Sequence, residues 1–225
     1  MKFYYLKVGG TTLYNYNSWN GLQPKNAYSN LKIDELPNFI PIFEDQVLEK
    51  IPSTDFIKST FGAYAMGFLV NSRVKKYMNG LLYKDSNFYP IKMLVEEKKK
   101  PVKDFSEYKY SYEYLHIATT DFFSWINFEK SIFNEWHIFD GKLEEEIRFN
   151  SETELREAIN PYTRIGINKL FLNTKYKNQD IFTTYPLGVL DTYHGIVVSE
   201  IFKEMVLKKK LTGIDKFIEI PVYIE

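Results

Sequence analysis

The sequence runs to 225 residues with 44% hydrophobic content, enough to build a core in one large domain or in two small, interlocked ones. Lys+Arg and Asp+Glu both number 29, so the bulk charge has none of the basic excess on which nucleic-acid binding draws. Cysteine is absent, which excludes disulfides, thiolate metal sites and a cysteine nucleophile.

Met1 to Lys7 holds too short an apolar run for a signal peptide, which needs roughly 7–15 apolar residues, so Phe3 to Val8 reads as a first strand. No segment approaches the roughly 18 apolar residues of a membrane span, and the expected location is the cytoplasm. Gly9-Gly10, lying before Thr12 to Tyr16, reads as a hairpin turn. Gly21, Pro24, Pro37 and Pro41 mark residues 15–41 as loop. Ser53, Thr54 or Asp55 is placed to cap a short helix through about Thr60. Met66 to Val70 is a buried strand. After Ser72, the residues Val74, Tyr77, Met78, Leu81 and Leu82 follow a helical period. Phe88 to Val95 reads as the next strand, and Glu96 to Pro101 as an exposed turn.

Tyr108, Tyr110, Tyr112 and Tyr114 alternate with polar residues, a strand period that puts all four rings on one face. An aromatic stretch runs from Trp125 to Phe139, and Asp140-Gly141 turns into Leu143 to Phe149 as a hairpin. Ser151 and Glu154 have capping-box spacing for a helix that must stop before Pro161. Lys169 to Leu172 and Ile181 to Thr184 read as strands, Ile196 to Val198 as a buried one. Ser199 opens a helix to about Lys210, and Phe217 to Tyr223 is the last strand.

Two of these segments echo each other. Phe68 to Ser72 leads into a helix and then Phe88 to Ile91; Ile196 to Ser199 leads into a helix and then Phe217 to Ile220. Ser72 and Ser199 fit helix N-caps, since neither has the flanking glycines of a nucleophile elbow. The pattern predicts an α+β fold: mixed or antiparallel sheets, three or four short helices, and two related strand-helix-strand units. A single domain over residues 1–225 is expected, with a possible division near 100–110 into units 1–100 and 105–225.

The same segments resemble a family of bacterial immunity proteins from polymorphic toxin systems. The resemblance rests on Gly195 to Met205 with Leu211, Thr212, Gly213, Ile214 and Phe217, on Phe68 to Ser72 and Arg73, on Ile126 to Ser131, and on Asp180 to Phe182. It spans roughly residues 50–222, and Asn127 stands where the family usually carries an acidic residue. It marks Ser72, Arg73, Ser131, Ser199, Gly213 and Phe217 as structural motif positions. It implies a protein that binds and neutralises a toxin encoded nearby, with no cofactor and no catalytic residue.

The chemistry visible in the residues agrees. His116, His137 and His194 are far apart, and no zinc, phosphate-loop or dinucleotide motif is present. No metal, cofactor, nucleic-acid or membrane partner is therefore expected, and no enzymatic activity. The alternative is an enzyme with a non-motif site that gathers those histidines with Asp121, Asp180 or Asp191, acting on nucleic acid or a small molecule. Exposed tyrosines beside lysines also suit a stacking surface for single strands. With 18 Tyr, 18 Phe and 3 Trp, aromatics are abundant, and Tyr and Trp favour protein interfaces. Trp19, Tyr108, Tyr110, Tyr112 and Tyr114 are the candidate interface residues. The tyrosine strand has two readings, a platform for a partner or a face turned to the core.

Overall fold

A computed structural model describes residues 1–9, 13–16, 23–32, 35–48, 54–59, 67–96, 105–107, 111–137, 143–159, 163–189 and 195–225. In chain order the first elements are β1 (Phe3–Val8), β2 (Leu13–Tyr16), β3 (Asp45–Leu48), β4 (Phe56–Lys58), β5 (Gly67–Asn71), α1 (Ser72–Met78), β6 (Ser86–Ile91), β7 (Met93–Glu96) and β8 (Phe105–Glu107). Then come β9 (Tyr112–Ile117), β10 (Ile132–His137), β11 (Leu143–Ile147), α2 (Glu152–Ala158), β12 (Thr163–Leu172), β13 (Ile181–Thr183) and β14 (Gly188–Val189). The chain closes with β15 (Ile196–Ser199), α3 (Glu200–Lys208), β16 (Ile214–Ile220) and β17 (Val222–Ile224). The architecture is α+β, as the sequence predicts.

The two related units form two sheets, ordered β4-β5-β9-β6 and β13-β15-β1-β16. In each, a helix joins two strands that flank an antiparallel central one: α1 joins β5 to β6 around β9, and α3 joins β15 to β16 around β1. The helices start where a short polar side chain takes up a free N–H. Ser199 Oγ accepts from the Phe202 N–H at 3.2 Å, and Asn71 Oδ1 from the Val74 N–H at 3.1 Å. One turn on, Val74 with Met78 and Phe202 with Val206 form the buried stripes. These four residues meet Tyr4, Leu6, Phe56, Phe68, Leu115, Ile181 and Val198 in one core, shared by both sheets. Two further sheets, β2-β3-β7-β8 and β11-β10-β12-β14 with β17 beside β12, flank this pair.

A buried aspartate precedes the first strand of each unit. Asp180 accepts from the Leu82 N–H at 2.9 Å and from the Ser199 hydroxyl, while its own N–H donates to the Leu82 carbonyl and its carbonyl accepts from the Ser199 N–H. Asp55 does the same at the other unit. It accepts from the Thr212 N–H at 2.8 Å and the Asn71 Nδ2 at 3.0 Å, donates to the Thr212 carbonyl and accepts from the Asn71 N–H. Each aspartate thus holds the helix cap of its own unit and the loop leaving the helix of the other. Arg73 reinforces one of them, reaching Asp55 at 3.2 Å and the Lys209 carbonyl at 2.6 Å.

Several local expectations give way to these long-range contacts. β1 and β2 form no hairpin: β1 pairs with β15 and β16, and β2 with β3. Residues 56–58 are a strand and not a helix, because Asp55 and Phe56 bond to Thr212 and β4 pairs with β5, with Phe56 and Ile57 wholly buried. The strand read over 88–95 breaks at Lys92 and the one over 217–223 at Pro221, each dividing between two sheets. Ser72 is exposed at the first helical position, the cap being Asn71. The helix read through Leu82 stops at Met78; Leu82 is exposed, and its N–H donates to Asp180. The turns at Gly10, Asp140 and Gly141 and the run 97–104 lie outside the described residues. Among the described residues no helix is long and apolar enough to cross a membrane.

Asp180→Ala should leave the Leu82 N–H and the Ser199 hydroxyl without their partner and cost roughly 3 kcal/mol of unfolding free energy. Asp55→Ala should cost a similar amount, both measured by urea denaturation of the purified chain.

Candidate functional site: a groove at the sheet edge

The outer face of the β4-β5-β9-β6 sheet is aromatic. Along β9, Tyr112, Tyr114 and His116 share that face, since alternate strand residues point the same way. Tyr89 stands beside Tyr114 on β6. Residues 28–32 and 35–43 fold over them. Phe43 packs on Tyr114 at a ring-centre distance of 5.3 Å and on Tyr89 at 6.2 Å, and Tyr28 stacks on Phe43 at 5.7 Å. Leu31, Leu48, Ile57, Leu69, Ile91 and Met93 complete this second core.

Tyr112 and Tyr114 are therefore not surface residues. They are 3% and 0% exposed, and of the two readings the core-facing one is correct for both. The Tyr112 hydroxyl donates to the Thr54 carbonyl at 2.6 Å. Burial pushes the Tyr114 phenol far above its ordinary range. Trp19, Tyr108 and Tyr110 lie outside the described residues.

His116 is an enclosed polar ring in this layer. It is fully buried, stacks on Tyr114, and its Nε2 lies 3.1 Å from the Lys32 carbonyl. A carbonyl only accepts, so Nε2 carries the proton and Nδ1 is the bare nitrogen. Nδ1 finds no hydrogen-bond partner among the described residues. Desolvation lowers the pKa of the ring, against a smaller opposite effect of the Lys32 carbonyl. His116 thus tethers the covering segment to the sheet as a neutral donor. The His137 side chain and His194 lie outside the described residues. Of the carboxylates considered with them, Asp180 is committed to Ser199 and Leu82, and Asp121 to Lys84 at 3.1 Å. Among the described residues no cluster of three His, Asp or Glu is placed to hold a metal ion.

Where the covering segment meets the edge strand, it leaves a groove of about 770 Å³. Pro37, Asn38, Phe39 and Ile40 form one wall and Asn87, Phe88, Tyr89 and Pro90 the other. None of these side chains is charged. Ile40 is 75% exposed at the rim, with Ile42 nearby at 43%. The polar groups in the groove include the Asn87 amide, which donates to the Tyr89 hydroxyl at 3.3 Å. Among the described residues no strand pairs with the outer edge of β6, which ends its sheet along this wall. The sequence carries little sign of this site. Pro37 to Ile40 reads as loop, and only the structure brings it to β6.

The motif positions have structural work. Ser131 is buried, and its hydroxyl accepts from the Phe171 N–H at 3.0 Å. Gly213 has φ of 95°, and a Cβ there would lie 2.0 Å from the Phe56 carbonyl oxygen. Phe217 packs edge-on to Tyr4 at 6.3 Å. Ser199 caps α3 and Arg73 pairs with Asp55. Ser72 and Arg73 are exposed. No protein-family model, curated protein or solved structure matches the chain.

Because His116 is held neutral below its ordinary value of 6.5, the unfolded chain binds a proton that the folded chain resists. Stability should fall as pH drops through 6.5 and level off below the folded value. His116→Gln should flatten that slope in denaturant titrations from about pH 8 to about pH 5. Tyr114→Ala should lower stability by roughly 3–5 kcal/mol, as for other large core rings.

Proposed function

We propose that this chain is an immunity-type protein that neutralises a bacterial protein toxin by binding it, and that the groove between Pro37–Ile40 and β6 is its contact surface. The observation that carries the reading is the groove itself: an uncharged, largely apolar cleft with Ile40 standing exposed at its rim. Exposed apolar side chains beside a shaped concavity are the usual anchors of protein recognition. One wall is a strand, and the other is followed in the chain by the Phe43 stack on Tyr89 and Tyr114. The outer edge of β6, unpaired among the described residues, adds backbone donors and acceptors that an extended segment of the partner can pair with.

The resemblance to immunity proteins supplies the kind of partner, and its motif residues account for the frame that holds the groove. The setting proposed is the cytoplasm of a toxin-producing bacterium, where the chain meets a toxin encoded beside it. Inhibition by coverage needs no cofactor, metal or catalytic group, and no nucleic-acid contact.

The test is co-expression with the neighbouring toxin-like gene product, scored by survival and by co-purification. Rescue with a stable complex is expected. Ile40→Asp should weaken that complex at least about tenfold while leaving the urea midpoint unchanged, since Ile40 is exposed in the free chain. Full rescue by Ile40→Asp with undiminished affinity would place the contact elsewhere and sink the assignment of this groove.

A further inference from the structure

The likeness between the two sheets extends through most of the chain. Phe56–Val70 and Ile57–Leu69 pair as Ile181–Val198 and Phe182–Val197 do, with Asp55 and Asp180 one residue ahead in each case. Past the central sheets the correspondence continues. β6 passes through Lys92 into β7, which runs parallel to β3, and β16 passes through Pro221 into β17, which runs parallel to β12. The linking bonds match too: Gln46 N–H to the Lys92 carbonyl and Leu170 N–H to the Pro221 carbonyl, both 2.9 Å. β2 lies antiparallel to β3 on its other side, as β10 does to β12. The order β1-β2-β3-β4-β5-α1-β6-β7 is therefore repeated as β9-β10-β12-β13-β15-α3-β16-β17, with β8 added in the first copy and β11, α2 and β14 in the second.

One element of each copy is out of place. β1 opens the first repeat but lies in the sheet of the second, between β15 and β16. β9 opens the second repeat but lies in the sheet of the first, between β5 and β6. The two strands are chemically alike where they are gripped. Tyr5-Leu6 of β1 and Tyr114-Leu115 of β9 occupy the same register: Val197 faces Tyr5, and Leu69 faces Tyr114. Leu6 and Leu115 both enter the shared core.

We infer that the chain is a fused pair of one repeated unit whose copies have exchanged their first strands, and that the gap between β15 and β16 is a binding slot for an extended strand of the β1 type. In this chain the slot's occupant is its own N-terminus, and a second copy's first strand has the same chemistry. The slot selects by backbone pairing on both sides and by a leucine directed into the core. This inference stands apart from the toxin-binding reading and uses a different surface.

The experiment starts from the full chain with a protease site placed within residues 10–12 and cut after folding. The severed strand should remain bound in native mass spectra and should exchange with a fluorescent peptide of residues 1–9. A peptide of residues 112–118 should compete for the slot, and the residue 1–9 peptide carrying Leu6→Asp should bind at least about tenfold more weakly. Hydrogen exchange on the uncut Leu6→Asp chain gives a second reading. Amides of 196–199 and 214–220 should lose protection more than those of 13–16, which follow β1 in sequence, and of 45–48, which pair with them. Departure of the cut strand with protection at 196–199 intact, or no binding of the residue 1–9 peptide, would overturn the inference.

Discussion

Two buried carboxylates set the geometry on which the rest of the molecule depends. A carboxylate taken out of water is tolerated only where donors surround it, and a missing donor is costly in a medium of low dielectric. Asp55 and Asp180 find those donors on two separate stretches of chain: the helix cap beside each, and the loop leaving the distant helix. The demand of one side chain therefore fixes strand register, helix start and the spacing between units together. A shift of either sheet by one residue would leave an aspartate without its cap partner and turn Phe56 or Ile181 out of the core.

The inner faces of the two central sheets share one core, so their outer faces must be covered by something else. The first is closed by Tyr28, Leu31, Phe39 and Phe43. The second is closed at one end by Phe122, Trp125, Phe149 and Leu155, gathered around Phe3 and Phe182. A frame laid down twice thus carries two different coverings. The groove proposed for recognition belongs to the first covering, where a proline-rich loop reaches an edge strand and stops short of sealing it. Repetition accounts for the frame, while the non-repeated segments account for the surface.

Much of the frame was legible from local pattern. The strand at Phe3, the caps at Ser151 and Ser199, the helix through Val74 and Met78 and the echo between Phe68–Ile91 and Ile196–Ile220 all rest on short-range periodicity and capping chemistry. Pairing across long separations was not legible. Gly9-Gly10 reads as a hairpin by every local rule, yet Gly9 donates to the carbonyl of Gly213 and β1 pairs near the far end of the chain. Asp55 reads as a cap because aspartate favours that position, and nothing nearby reveals that Thr212 will claim it. The groove was hidden for the same reason, as its two walls are some fifty residues apart in sequence.

The tyrosine strand shows where strand periodicity stops being informative. Alternation assigns Tyr112, Tyr114 and His116 to one face, and the structure agrees. Alternation does not say whether that face is covered. The corresponding residues of β1 are Phe3, Tyr5 and Lys7, and they become steadily more exposed along the strand, from buried to half-buried to exposed. Along β9 all three stay buried, because residues 28–32 and 35–43 extend over the whole row. Lysine at the open position and a neutral histidine at the closed one follow from this difference, since a charge is cheap in water and expensive beneath aromatic rings. A choice between interface and core thus turned on a loop with no periodicity of its own. That loop also forms the wall on which the proposed contact is built.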